Sequence, residues 1–229
     1  PSYSRLGYVY EGITTFFGDY YLLTSGLITS ERYLQLLEAQ IQTHVDNVGR
    51  FAYSVADSSI DTWVDGYVKG TPGRKVSIYN EGCLLAFILD TKIREATHNK
   101  STLQHLMNRL FYAFGLTHIG YSEKDILSQL QQLSGIDFSV LFEQYINASN
   151  GYESLLQEAF SFYGIELRQE VPAELHKGSL GIKILTKTEK TFIMDIASGS
   201  PADVGGLAEG DQLVSINGKE ITTNLSEVL

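Results

Sequence analysis

Glu11 lies in the run Tyr8-Val9-Tyr10-Glu11-Gly12-Ile13-Thr14-Thr15-Phe16-Phe17-Gly18, one carboxylate among aromatic rings. Buried there, a carboxylate loses its hydration and calls for a cation or metal partner. Left in water, it is an ordinary first-turn glutamate favoured by the helix dipole. Tyr79 stands in a second run, Ser77-Ile78-Tyr79-Asn80-Glu81-Gly82-Cys83, just before a wholly apolar stretch. A phenol at the mouth of a buried helix can donate to a developing oxyanion, or it can be a core tyrosine whose hydroxyl reaches the surface. The third run is Lys177-Gly178-Ser179-Leu180-Gly181-Ile182, followed by Gly199-Ser200-Pro201-Ala202-Asp203, Gly210-Asp211-Gln212-Leu213 and Ile216-Asn217-Gly218. A glycine turn opening a strand presents successive amides to a peptide's terminal carboxylate while the strand edge pairs with its backbone. The amides of Leu180, Gly181 and Ile182 are the expected cradle.

The remaining chemistry-bearing residues are sparse. His44, His98, His105, His118 and His176 form no H-E-x-x-H pair, and the single cysteine, Cys83, has no partner. Spacing therefore offers no complete zinc site, and the five histidines are expected as isolated surface or capping residues. One cysteine also leaves the redox compartment open.

The elements that must position these residues change character near residue 168. Over residues 10–163 apolar side chains recur at three and four, with helix start and stop signals. Thr29 is a candidate N-cap for a helix with Tyr33, Leu34, Leu37 and Ile41 on one face. Ser101 with Gln104 reads as a capping box, and Gly115 as the left-handed end of the helix that follows. Ser122 and Asp137 are further caps, and Gly164 closes a last helix carrying Leu155, Leu156, Ala159 and Phe160. Residues 83–89 are apolar on every side, as in a helix at the centre of a bundle.

After residue 167 the period moves towards two. Residues 181–185, 191–197 and 212–216 read as short strands, and Asn217-Gly218 as a tight turn. The expected architecture is a mainly helical lobe over residues 1–168, followed by a small α/β unit over 169–229, with Pro172 punctuating the linker.

Composition narrows the partners. There are 17 basic and 27 acidic side chains, a net charge of −10, and both parts are negative. That disfavours nucleic acid, which needs a basic face. No apolar run approaches the roughly 20 residues of a membrane span.

The residues Tyr8-Val9-Tyr10-Glu11-Gly12 with Tyr20, then Gly26-Leu27-Ile28-Thr29, then Ile78-Tyr79-Asn80-Glu81-Gly82 and the helix ending Arg94-Glu95-Ala96-Thr97 resemble the second half of the glycyl aminopeptidase family. Those enzymes are thermolysin-like zinc metallopeptidases of the glutamate-ligand type, many with a PDZ domain behind the catalytic domain. The resemblance implies a mainly α helical lobe with a PDZ-like domain. It makes Glu11 the third zinc ligand and Tyr79 the stabiliser of the tetrahedral intermediate. It also puts a lysine where this chain has Glu81.

The two histidines and the general-base glutamate of that family are expected before residue 1. The chain opens Pro1-Ser2-Tyr3, which reads as a processed or cut fragment. With one ligand of three, this polypeptide alone is expected to hold no zinc and to cleave nothing. The parent is expected to release amino-terminal residues, with glycine or alanine favoured. The PDZ-like unit is expected to take a peptide C-terminus in a groove left short after Leu229. An apolar face exposed on the lobe points to self-association. The competing reading is a non-catalytic peptide-binding scaffold, in which the helices are only a platform.

Overall fold

The computed structural model describes residues 3–65 and 74–229. It divides into two compact units, Pro1–Leu167 and Arg168–Leu229.

The first unit is built around α4 (Ile78–Ala96). From Cys83 to Leu89 every side chain is buried, as the unbroken apolar run requires. A helix that is apolar all round must be covered all round, and the other elements do so. A π-helical turn (Tyr8–Gly12) runs into α1 (Ile13–Thr24), and both lie on α4. α2 (Ser30–Asp46), α3 (Val55–Asp65), α5 (Leu103–Leu110), α6 (Glu123–Ser134) and α8 (Glu153–Phe162) complete the wrapping, and the short α7 (Ser139–Leu141) leads into a second π-helical turn, Phe142–Ile146. Burial pushes the Cys83 thiol up to about 12, so it is a packing group in the middle of this helix rather than a nucleophile.

Several ends form as the sequence reads. The Thr29 hydroxyl accepts from the Arg32 amide at 3.2 Å and opens α2. Ser122 and Asp125 form a capping box at the start of α6. Asp137 accepts from the Ser139 amide at 2.8 Å, and Gly164 takes φ +72° after α8.

Two ends differ. The box opening α5 is Thr102 with His105, one residue later than Ser101 and Gln104. Its position is fixed from below, because buried Asp90 accepts the Leu103 amide at 2.7 Å and Thr97 accepts the Ser101 amide at 3.0 Å. Gly115 ends a third π-helical turn, Phe111–Gly115, without adopting the left-handed region. A Cβ there would meet the Phe111 ring at 2.8 Å, so glycine makes room for an aromatic side chain instead of reversing the chain.

The second unit holds α9 (Leu175–Gly178), β1 (Ile182–Lys187), β2 (Lys190–Ile196), α10 (Pro201–Val204), β3 (Gln212–Leu213), β4 (Ser215–Ile216), β5 (Lys219–Glu220) and α11 (Leu225–Val228). β1, β2 and β3 form an antiparallel sheet in that order, so β1 is an edge strand, and β4 pairs with β5. Asn217 and Gly218 both take positive φ, 51° and 77°, as a two-residue hairpin turn requires. Ile182, Ile193 and Ala202 form its small core.

A tight backbone approach joins the π-helical turn to α4. A Cβ on Gly82 would lie 2.5 Å from the Tyr8 carbonyl oxygen and 2.6 Å from the Gly12 Cα, both rigid backbone atoms. Gly82→Ala is therefore expected to cost about 3 kcal/mol through forced separation of the two helices. Urea unfolding of the purified chain measures it, and a loss below about 1 kcal/mol is incompatible with so close a seat.

Candidate functional site

Gly12 and Gly82 set the geometry of the expected site. Glu11 precedes Gly12 on the π-helical turn, and Tyr79 lies one turn before Gly82 on α4, so the glycine contact places both segments side by side. The Tyr8 amide donates to the Ser59 hydroxyl at 3.0 Å, which ties the start of the turn to α3. The hydroxyls of Thr14 and Thr15 bond back to the Glu11 carbonyl at 2.9 and 2.7 Å. A π turn carries one residue more than an α turn, and such turns are frequent at functional sites.

Glu11 is half-buried, and among the described residues no side chain donates to its carboxylate. That leaves both oxygens able to take a cation, though no three described His, Cys, Asp or Glu residues are grouped as a metal cage. Glu11 fits the part of one oxygen ligand and no more. Tyr79 is half-buried against the core, at the first turn of α4, where the Ser77 hydroxyl accepts from the Asn80 amide at 3.3 Å.

Around that first turn lies a polar cluster that spacing did not disclose. Glu81 is only 2% exposed, and its Oε2 is 2.7 Å from Nδ1 of His44, which is fully buried. The His44 ring stacks on Tyr152 at 4.6 Å, and burial together with the Glu81 charge raises the Tyr152 phenol well above its usual value. Arg50 reaches both His44 and Glu153. Asn80 bridges Gln40 O of α2 and the Glu81 carboxylate.

His44 is thus neither a surface nor a capping residue, contrary to the sequence reading, and His176 is also buried, with Nδ1 lacking a partner among the described residues. The signal existed. Tyr33, Leu37 and Ile41 mark the inward face of α2, and the next position on it is 44.

Glu81 points away from the Tyr79 face. Two residues along an α-helix turn through about 200°, and its carboxylate is held by α2. The glutamate that stands where the family has lysine is thus taken up by the His44 side of the helix.

In the second unit, Leu180, Gly181 and Ile182 join α9 to the edge strand β1. Gly181 takes φ +74°, and its carbonyl accepts from the Ala197 amide at 2.7 Å. The Leu180 amide already donates to the Leu175 carbonyl at 3.3 Å, a long bond with which a carboxylate must compete. α11 lies against α9.

Known proteins divide along the same line. Residues 1–85 match the M61 glycyl aminopeptidase family, and residues 192–229 match the PDZ domain. The likeness is to the glycyl aminopeptidases, with a PDZ-like domain behind. An aminopeptidase N family protein from Idiomarina loihiensis, known from its crystal structure, aligns over 100% of the chain at 28% identity with a TM-score of 0.88, and the chain covers 41% of it. The serine protease Do-like HtrA of Bacillus subtilis is 27% identical over 118 residues, 48% of this chain and 23% of that protein. Disks large homolog 2 of Danio rerio is 34% identical over 87 residues, 36% of this chain and 10% of that protein. The chain spans less than half the length of each of these three.

Side chains are excluded at Gly181 in the PDZ-like loop. A Cβ on Gly181 would lie 2.3 Å from the Ser200 Cβ, and φ is left-handed. Gly181→Ala is expected to destabilise the second unit by about 2 kcal/mol or more, leaving the first unchanged. Hydrogen exchange resolved by peptide reads the two units separately, and unchanged protection of β1 would reject the strain.

Proposed function

We propose that this chain is the C-terminal part of a zinc-dependent aminopeptidase, carrying one metal ligand, one oxyanion donor and a PDZ-like peptide-binding module. The observation that supports it most is the seat of Gly12 on Gly82, which sets the Glu11 turn beside the Tyr79 turn within the region matching the M61 family.

Each residue has a defined task in this reading. Glu11 would hold the ion through a carboxylate oxygen, for which no side-chain donor competes among the described residues. A bound zinc ion supplies Lewis acidity and an activated water. Tyr79 donates its phenolic hydrogen to the carbonyl oxygen of the scissile peptide as negative charge grows there. Histidine ligands and a general base come from the part of the protein that precedes this chain. Small amino-terminal residues such as glycine and alanine are the proposed substrates. The β1 edge and the Leu180, Gly181 and Ile182 amides take an extended peptide and its terminal carboxylate.

In the full-length protein Glu11→Gln should lose zinc on dialysis, as read by elemental analysis. Retention of one zinc per chain would remove Glu11 from the ligand set. Tyr79→Phe should lower kcat about a hundredfold with KM within about twofold. Steady-state kinetics on alanine and glycine anilides measures this, and full turnover by the variant overturns the oxyanion role.

A further inference from the structure

The Glu81, His44 and Arg50 cluster has a hydrogen-bond logic that fixes its protons. His44 Nε2 has two neighbours, the Tyr152 backbone amide at 3.3 Å and Arg50 Nη1 at 3.3 Å. An amide N–H and a guanidinium can only donate, so Nε2 is an acceptor without a proton. The ring proton then sits on Nδ1 and points at Glu81 Oε2, 2.7 Å away. A neutral imidazole thus links a carboxylate to a guanidinium, all three residues being at most 9% exposed.

An isolated buried carboxylate at this position would be costly. Here the opposite charge lies two bonds away, across the ring. Arg50 is itself anchored by Glu153 at the start of α8, so the relay runs from α8 through α2 into the first turn of α4.

We propose that Glu81, His44 and Arg50 are positioning residues for Tyr79, a buried neutral-histidine relay that fixes the rotation of the first turn of α4. Glu81 follows Tyr79 by two residues and immediately precedes Gly82, whose seat on Gly12 holds the Glu11 turn. Ser77 caps one amide of that turn, and the Glu81 bond to His44 and the Asn80 bond to Gln40 O add two side-chain anchors that oppose its turning about the helix axis. Rotation by a few tens of degrees carries a phenolic oxygen on a long tyrosine side chain by ångströms, enough to lose a transition-state hydrogen bond. The catalytic half of this inference rests on the proposed peptidase reading; the relay itself does not.

A double-mutant cycle in the full-length protein tests the coupling. Glu81→Gln should lower kcat about tenfold with KM within about twofold. Combined with Tyr79→Phe it should add no further loss, because it acts through that hydroxyl. Losses that multiply, or a Glu81→Gln protein with lowered stability and normal kcat, would reject the positioning role. His44→Asn keeps a donor near the Nδ1 position but offers nothing to Arg50, and should recover part of the rate lost in His44→Ala. Equal loss in both overturns the relay's orientation. If the full-length protein cleaves no amino-terminal anilide, the peptidase reading fails alone. The relay is then decided on this 229-residue chain by imidazole nitrogen NMR. A protonated Nδ1 with an unprotonated Nε2 at neutral pH supports it, and the opposite tautomer or a doubly protonated ring overturns it.

Discussion

Two helical backbones come this close where glycines face each other, and the first unit depends on one such place. Gly12 and Gly82 let a π-helical turn rest on a helix that is buried on all sides. Neither partner could shift without uncovering apolar surface on α4, whose residues from Cys83 to Leu89 contribute on the order of 1.5–3 kcal/mol each for the larger side chains. The contact is thus stiff for the same reason that the core is stable. The half-buried residues next to it, Glu11 on one side and Tyr79 on the other, share that stiffness through their backbones, and the buried Glu81 beside Gly82 adds its bond to His44. Site residues can then stay partly exposed, which a ligand requires, while their backbones remain fixed.

The second unit reaches a similar end with strands. Its core is small, Ile182, Ile193 and Ala202, and its form comes more from turns than from burial. Gly181 sits against Ser200 at a distance no side chain allows, so the loop leading into β1 is pinned to the start of α10. Both units place the residues of interest directly beside a glycine that cannot be replaced. In each case the constraint is steric and local.

Much of this was legible in the residues. A run with no polar face, residues 83–89, can only be a central helix, and it is. Caps and turns at Thr29, Ser122, Gly164 and Asn217-Gly218 depend on backbone groups within a few residues, so local sequence determines them. What escaped depends on distant partners. The start of α5 is set by Asp90, thirteen residues earlier, which outweighs the local signal at Ser101. The π-helical turns add a single residue to an otherwise helical period, a change that apolar spacing does not register. His44 was misread because a histidine in an apolar stripe looks like an interruption. Only its three-dimensional neighbours, Glu81 and Tyr152, show why a polar ring is admitted to the core. Glu11 and Tyr79 were conspicuous as types, yet their adjacency follows from the two glycines rather than from any spacing between positions 11 and 79.

The open edge of β1 has a further side. Unpaired strand edges invite any extended chain, copies of the same protein included, and folded proteins restrain this with charged side chains. Lys183 and Lys187 are exposed along this edge, on a chain whose net charge is −10. Lys183 lies 3.5 Å from Asp195 of β2, so its charge is partly met within the sheet, while Lys187 lies near the far end of the strand. Charged side chains of this kind on a strand edge work against the pairing of two identical edges.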